Sequence, residues 1–238
     1  MKVVAVNSSP KMDKGITSRI LTPFLEGMEG EGAEVELFYT RKLKINPCLG
    51  CVGCWFETPG VCVQKDDMQL LLPKFKAADV WVYATPLYIG GVSGPMKNMM
   101  DRFLPMALPF FELQDGDTTH PAREPVASRK SVLISSCGFW GLDNFKLLLA
   151  HFQNMRGFAG ALLRPHSAAM RILPEENYAD ILQAAGEAGR QLVRDGAMSS
   201  ETLSTVSREI MPLKEYIETL NREFKEILKS GWRGVIGY

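Results

Sequence analysis

Four of the five cysteines fall within fifteen residues, as Cys48-x2-Cys51-x2-Cys54-x7-Cys62, while Cys137 stands alone. Thiols so bunched imply a metal, an iron-sulfur cluster or redox chemistry, because the thiolate is both ligand and nucleophile. Secreted disulfide scaffolds instead scatter cysteines through small domains that lack a large core. This chain has 238 residues, 46% of them hydrophobic, so it does not need that kind of framework. Three readings of the segment stand. Four thiolates are the usual complement of a four-iron cluster. Zinc sites of four cysteines usually separate two close pairs by a longer spacer, whereas three of these cysteines share one tight turn. The third reading is free or redox-active thiols, with Trp55 and Phe56 packing the loop.

Three further segments carry chemistry. Asn7-Ser8-Ser9-Pro10-Lys11, followed by Gly15-Ile16-Thr17-Ser18, offers hydroxyls and backbone N–H groups at a helix start, where an anionic phosphate is stabilised. It has neither the glycine frame of a Walker loop nor a Gly-x-Gly-x-x-Gly turn, and an ordinary capped turn would look similar. Thr85-Pro86-Leu87-Tyr88-Ile89-Gly90-Gly91 combines glycines that permit close backbone approach with a tyrosine face, as suits a flat ligand or a flexible turn. Ser136-Cys137-Gly138-Phe139-Trp140-Gly141 is the third. His120, His151 and His166 lie in separate elements without metal spacing, and no Ser-His-Asp arrangement is visible. Asp66-Asp67 and Asp101-Arg102 read as helix-end residues.

The elements that must position these loops follow from hydrophobic pattern. Short apolar runs at Val3–Val6, Val35–Tyr39, Asp79–Thr85, Ser131–Ser135 and Ala161–Ala168 predict strands. Helices are expected after Thr17 or Ser18 as caps, after Asp66-Asp67, over Ser93–Phe103, over Leu142–Met155, and over Glu175–Arg194, the last weakened by Gly186 and Gly189. A long connection occupies 105 to 129. The alternation implies a parallel sheet with helices on both faces and ligands at the carboxyl ends of its strands. From Val206, apolar residues recur at Ile210, Leu213, Ile217, Leu220, Phe224 and Ile227 in heptad-like steps. This predicts a break near Met211, then a helix from Pro212 to Lys229 with Glu218–Arg222 and Arg222–Glu226 pairs, packed on its own domain or on a partner. The domains expected are 1–196, with its cysteine loop at 46–62, and a helical extension at 197–238.

The formal net charge is zero and the pI about 6.8, which disfavours nucleic acid and anionic membranes. Met1–Val6 is too short for a signal-peptide core and no stretch approaches a membrane span, so a cytoplasmic setting is expected.

Asn-Ser-Ser-Pro near the N-terminus, the Cys-x2-Cys-x2-Cys-Trp loop leading to Cys62 and Asp66-Asp67-Met68, Thr85-Pro86-Leu87-Tyr88, and Lys97-Asn98-Met99-Met100-Asp101-Arg102 together resemble the flavodoxin-fold NAD(P)H-dependent FMN reductases, most closely their iron-sulfur flavoprotein branch. The resemblance covers about residues 1 to 195. It implies a flavodoxin-like, doubly wound α/β fold with five parallel strands in the order 2-1-3-4-5. It further implies that Ser9, Lys11, Thr17 and Ser18 hold the FMN phosphate, that Thr85, Pro86, Leu87, Tyr88, Gly90 and Gly91 line the ribityl chain and ring, and that Ser136, Cys137, Gly138 and Phe139 flank the other side. Cys48, Cys51, Cys54 and Cys62 match the branch's cluster-ligand spacing, which implies a [4Fe-4S] cluster as metal site. Ile16 replaces an asparagine usual in the family's Gly-Asn-Thr. The activity implied is hydride transfer from NAD(P)H to FMN and onward to a small-molecule or protein electron acceptor, in a homo-oligomer (dimer or tetramer) and with no acid-base side chain required. The rival class is a non-enzymatic flavin electron carrier or cysteine-based redox sensor.

Overall fold

The structure, a computed structural model, describes residues 1–114, 116–124 and 129–231. Strand β1, Lys2–Asn7, sets the plan. Successive side chains of a strand point to opposite faces. Accordingly Val3 and Ala5 enter one hydrophobic core and Val4 and Val6 the other. Every residue of the run is apolar because both faces are covered.

The chain continues through α1 (Ile16–Gly30), β2 (Glu34–Tyr39), α2 (Gly53–Phe56), α3 (Met68–Ala77), β3 (Val80–Pro86) and α4 (Gly94–Asp101). A small antiparallel pair, β4 (Glu112–Gln114) and β5 (Asp117–Thr119), lies within the long connection. Then come β6 (Lys130–Ser136), α5 (Lys146–Gln153), β7 (Phe158–Arg164), α6 (Ala169–Ile172), α7 (Ala179–Arg194), α8 (Ser200–Ser207) and α9 (Leu213–Ser230). The main sheet is parallel in the order β2-β1-β3-β6-β7, which is the flavodoxin-like 2-1-3-4-5 order once the β4–β5 hairpin is set aside. Helices α1 and α7 cover one face, and α3, α4 and α5 supply the other core.

Several boundaries differ from the sequence expectation. The last strand ends at Arg164, and Pro165–Ala168 turn away because Arg164 and His166 are tied to the last turn of α8 and the chain just after it. Leu142–Phe145 is a tighter 3-10 turn ahead of α5. Neither Thr17 nor Ser18 caps α1: the N-cap position is Gly15, and both hydroxyls are bonded elsewhere. Along α9, Leu213 and Ile217 of the expected seam are 46% and 48% exposed, whereas Tyr216 is buried. The helix docks by Tyr216 and by Leu220 of the stripe against Ala168, Ala169 and Met211, with Phe224 and Ile227 half-buried further on, so the stripe is buried only in part. Among the described residues its ion pairs are Lys214–Glu218, Glu226–Lys229 and Arg171–Glu223, in place of the expected Glu218–Arg222 and Arg222–Glu226. Met198 and Val206 join the core beside β7 and α7. Residues 232–238 of the expected extension, and 115 and 125–128 of the expected connection, lie outside the described residues.

Gly189 and Gly27 let α1 and α7 meet at backbone distance, so glycine here is a packing choice. A Cβ on Gly189 would lie 2.0 Å from the carbonyl oxygen of Phe24, and one on Gly27 would lie 2.0 Å from that of Gly186. A Cβ on Gly186 itself would meet the Pro23 carbonyl at 3.4 Å and the flexible Arg190 guanidinium at 3.7 Å, both ordinary contacts. Gly189→Ala is expected to destabilise the fold by about 2–3 kcal/mol. Gly186→Ala should be neutral or stabilise by up to about 1 kcal/mol through helix propensity. Denaturant melts of the two variants check the contrast; equal effects would contradict this packing.

Candidate functional site

Three loops meet at the carboxyl edge of β1, β3 and β6. In the loop after β1, Ser9 N–H donates to Asn7 Oδ1 at 2.8 Å, and Asn7 Nδ2 donates to Ser18 Oγ at 2.7 Å. Ser18 Oγ in turn donates to the Met12 carbonyl at 2.6 Å, so its single proton is committed to shaping the loop. Lys11 N–H reaches Ser9 Oγ at 3.4 Å, and a Cβ on Gly15 would sit 2.5 Å from that oxygen. Gly15 thus keeps the turn tight enough to lead into α1 without a side-chain cap. Thr17 Oγ1 and Ser136 Oγ lie 2.8 Å apart, both residues buried. One proton lies between the two oxygens and the other hydroxyl proton remains to donate. An uncapped helix start with a donor hydroxyl suits a phosphate. Asn7, buried and central to this network, is a residue that the sequence reading quoted without a role; its place directly after an apolar strand was the available signal.

The loop after β3 is a two-residue hairpin. Tyr88 and Gly91 exchange two backbone hydrogen bonds of 3.0 Å, and Ile89 and Gly90 both have positive φ, 48° and 74°, the pattern of a type I′ turn. A β-branched residue in this region is strained, and Ile89 is held there fully exposed. Behind it, Thr85 Oγ1 accepts from Ser93 N–H at 3.0 Å, and Ser93 Oγ donates to Ser8 Oγ at 2.8 Å, tying this loop to the first. Leu87 N–H donates to the Ser136 carbonyl at 2.9 Å, tying it to the third. Thr85 is buried, Pro86 ends β3, and Tyr88 is half exposed. In the third loop Cys137 is buried, with its thiol pKa raised by burial and partly offset by the Phe139 N–H, which donates to Sγ at 3.3 Å. Gly138 and Phe139 are exposed.

The cysteine loop is a separate place. Cys48, Cys51, Cys54 and Cys62 line one pocket together with Arg102, and no residue of the three loops at the sheet's carboxyl edge lines it. Burial raises the Cys54 pKa most, and Cys62, Cys48 and Cys51 each add to it, so the four thiols are near enough to repel as thiolates. Among the described residues, no group of three or more His, Cys, Asp or Glu is drawn together to hold a metal ion. The donor set, four thiols around one pocket, still fits a thiolate-bound cluster in its chemistry. Val52, with φ 48°, turns the chain between Cys51 and Cys54.

Arg102 clamps this loop. Its Nη1 donates to Asp66 Oδ2 at 2.6 Å and to the Asn46 carbonyl at 2.8 Å, and its Nη2 donates to Asp66 Oδ1 at 3.0 Å and to Cys62 Sγ at 3.4 Å. Both charged side chains are buried. Burial by itself would raise the Asp66 pKa, but hydrogen bonds from Arg102 and from the Asn46 and Met68 N–H groups bring it below the usual carboxylate value. Asp66 therefore does more than begin a helix, and Arg102 more than end one. Removing either partner would leave a buried charge uncompensated.

Residues 1–170 match the family described as NADPH-dependent FMN reductase. The chain belongs to that family. It is 36% identical over 110 residues to an iron-sulfur flavoprotein of Methanocaldococcus jannaschii, covering 46% of this chain and 55% of that protein. The chain spans about half the length of the curated relatives it matches. Two solved structures share the fold at 16% identity and a TM-score of 0.55. One is an FMN-dependent NADH-azoreductase from Bacillus anthracis in complex with FMN, covering 82% of this chain and 99% of that one. The other is an NAD(P)H:quinone oxidoreductase from Methanothermobacter marburgensis, covering 81% and 96%.

In this FMN reductase family member, Arg164 and His166 join the carboxyl edge of the sheet to the C-terminal segment. The buried Arg164 guanidinium donates to the carbonyls of Pro165, Val206 and Arg208 at 2.8–2.9 Å. It also meets His166 Nε2 at 2.6 Å. A guanidinium can only donate, so Nε2 must accept and His166 is neutral. Burial, then Arg164, pushes the His166 pKa down to about 4, and the Arg164 pKa falls to about 10. Because the folded pKa lies below the unfolded value, this contribution is full above about pH 6.5 and is lost as pH falls toward 4. It is worth on the order of 3 kcal/mol. The stability difference between the parent and His166→Asn should therefore shrink over that window; a difference independent of pH would refute the neutral, buried imidazole.

Proposed function

We propose that the chain is an oxidoreductase that takes hydride from NAD(P)H on bound FMN and passes electrons to a small-molecule or protein acceptor. The observation that carries this reading is the meeting of the Thr17 and Ser136 hydroxyls at the uncapped start of α1, beside the Tyr88–Gly91 hairpin. FMN, when bound, supplies the hydride-accepting chemistry. Ser9, Lys11 and Thr17 would surround its phosphate, with Ser18 and Asn7 holding the loop in shape. Thr85 to Gly91 would line the ribityl chain and ring, and Ser136 to Phe139 the opposite side. No side chain in these loops is assigned an acid-base role. FMN is favoured over FAD because the loop offers one terminal phosphate site and no dinucleotide turn.

Cys48, Cys51, Cys54 and Cys62 would hold a [4Fe-4S] cluster able to pass electrons singly. The iron-sulfur flavoprotein relatives support that assignment, and the shared pocket with its buried guanidinium fits an anionic thiolate site. A cytoplasmic homo-oligomer is proposed with it, since α9 leaves Leu213, Ile217 and Leu228 exposed for a partner. The rival reading, an electron carrier or thiol redox sensor, draws on the exposure of Cys48 and Cys51. Steady-state NAD(P)H oxidation by FMN-loaded protein separates the two.

Extraction should recover FMN. Thr17→Val, which deletes one hydroxyl of the pair, should weaken FMN binding by roughly tenfold, the worth of one buried hydrogen bond. Unchanged affinity in a fluorescence titration would remove Thr17 from the site.

Iron and acid-labile sulfide should be present after anaerobic reconstitution and should survive Cys137→Ser, since Cys137 does not line the cysteine pocket. Cys51→Ser should abolish or degrade the iron-sulfur spectrum. Full FMN occupancy with near-zero iron would leave a thiol-bearing flavin reductase instead.

A further inference from the structure

The loop after β6 shows a pattern of satisfaction that its own residues do not explain. Four consecutive carbonyls each accept a hydrogen bond from the protein side. The Ser136 carbonyl accepts from Leu87 N–H at 2.9 Å, that of Cys137 from Ser167 N–H at 2.9 Å, and that of Phe139 from His166 N–H at 2.7 Å. The fourth, on Gly138, accepts from Tyr216 Oη at 2.5 Å. Three of the donors are backbone groups at the sheet's own edge. Tyr216 is a side chain on α9, beyond the residues that match the family.

The peptide that Tyr216 holds is also the one least restrained by sterics, because Gly138 has no Cβ and can turn through backbone conformations closed to other residues. The Gly138 carbonyl and the Phe139 N–H belong to one peptide plane. Turning the carbonyl inward therefore fixes that N–H toward Cys137 Sγ, its acceptor at 3.3 Å. The Gly138 N–H has no acceptor among the described residues and stands on the exposed edge of the loop.

Tyr216 is itself well seated. It is 4% exposed, with Trp140 at 5.6 Å and His166 at 6.0 Å between ring centroids. Trp140 in turn stacks on His166 at 4.3 Å. Further along α9, Glu223 takes both arms of the Arg171 guanidinium at 2.5 and 2.6 Å, a separate tie for the far part of the helix. A donor seated against Trp140 and His166 loses little entropy when it makes its bond.

We propose that α9 is a buttress for the cofactor loop and that Tyr216 is a positioning residue: by locking the peptide after Gly138 it sets how firmly the Ser136–Phe139 loop grips FMN. This rests on the reading of that loop as one wall of the FMN site. It gives the C-terminal segment a role within its own chain, whatever partner covers the rest of α9.

The test is FMN titration into apo-protein of the full chain, followed by flavin fluorescence quenching and by the visible circular dichroism of bound FMN. Tyr216→Phe keeps the ring and removes only the hydroxyl. It should weaken FMN binding by about tenfold, the worth of one buried hydrogen bond, and alter the visible dichroism at saturation, with the far-ultraviolet spectrum unchanged. Glu223→Gln, which loosens α9 away from the loop, should lower the melting temperature and leave both flavin readouts as in the parent. If Thr17→Val weakens FMN binding while Tyr216→Phe matches the parent in affinity and dichroism, the buttress is wrong and the site stands. If neither variant weakens FMN binding, the cofactor loops are misassigned and the inference falls with them. Glu223→Gln weakening FMN as much as Tyr216→Phe would mean general loosening and would also overturn it.

Discussion

The close approach of α1 to α7 sets where the first turn of α1 meets the carboxyl edge of the sheet. Where Phe24 faces Gly189 and Gly186 faces Gly27, the two helices touch backbone to backbone. Such contact leaves no side-chain layer to adjust, and close-packed interiors transmit a displacement rather than absorb it. The first turn of α1 carries Thr17, and Thr17 must arrive within hydrogen-bond distance of Ser136 on a strand two positions across the sheet from β1. A helix seated a side chain's width further out would leave these two buried hydroxyls without each other. Gly189, which weakens α7 as an isolated helix, is the residue that together with Gly27 of α1 holds the first turn of α1 in place.

The same constraint organises the polar backbone at that edge. Parallel strands that end together leave their last carbonyls and N–H groups without ladder partners, and burial makes each unpaired group costly. Here the loops satisfy one another: Ser8 with Ala84, Leu87 with Ser136, Cys137 with Arg164. The remaining carbonyls are taken by residues from beyond β7, through Ser167, His166 and Tyr216. Strain gathers in the same places, with left-handed backbone at Met12, Ile89 and His166. Such conformations persist only where surrounding bonds over-determine them.

The cysteine loop obeys a different rule, since it leaves the sheet at its edge after β2. Its base is closed by Asp66, Asp67 and Arg102, which take N–H and carbonyl groups of residues 44 and 46. A buried ion pair of this kind contributes less through net stability than through the geometry it imposes, because desolvation offsets much of its attraction. Its third contact, from Arg102 to Cys62 Sγ, places positive charge beside a group that would repel Cys54 if both were thiolates.

Much of this was legible in the sequence alone. Apolar runs of strand length, helical periodicity and the glycine- and serine-rich breaks are local signals, and they are enough to lay out alternating strands and helices, place three loops at the strands' carboxyl ends and mark the four cysteines as one unit, while the order of the strands in the sheet rests on the family resemblance. The contacts that finish the sites are not local. Arg102 meets Asp66 across 36 positions, Tyr216 meets Gly138 across 78, and Thr17 meets Ser136 across 119. In the sequence, Asp66 and Arg102 look like helix ends and Tyr216 stands off the apolar stripe of α9. Only the tertiary structure decides their roles, because a buried hydrogen-bonding group is defined by what faces it, and that partner comes from whichever segment the packing of the sheet and helices brings there.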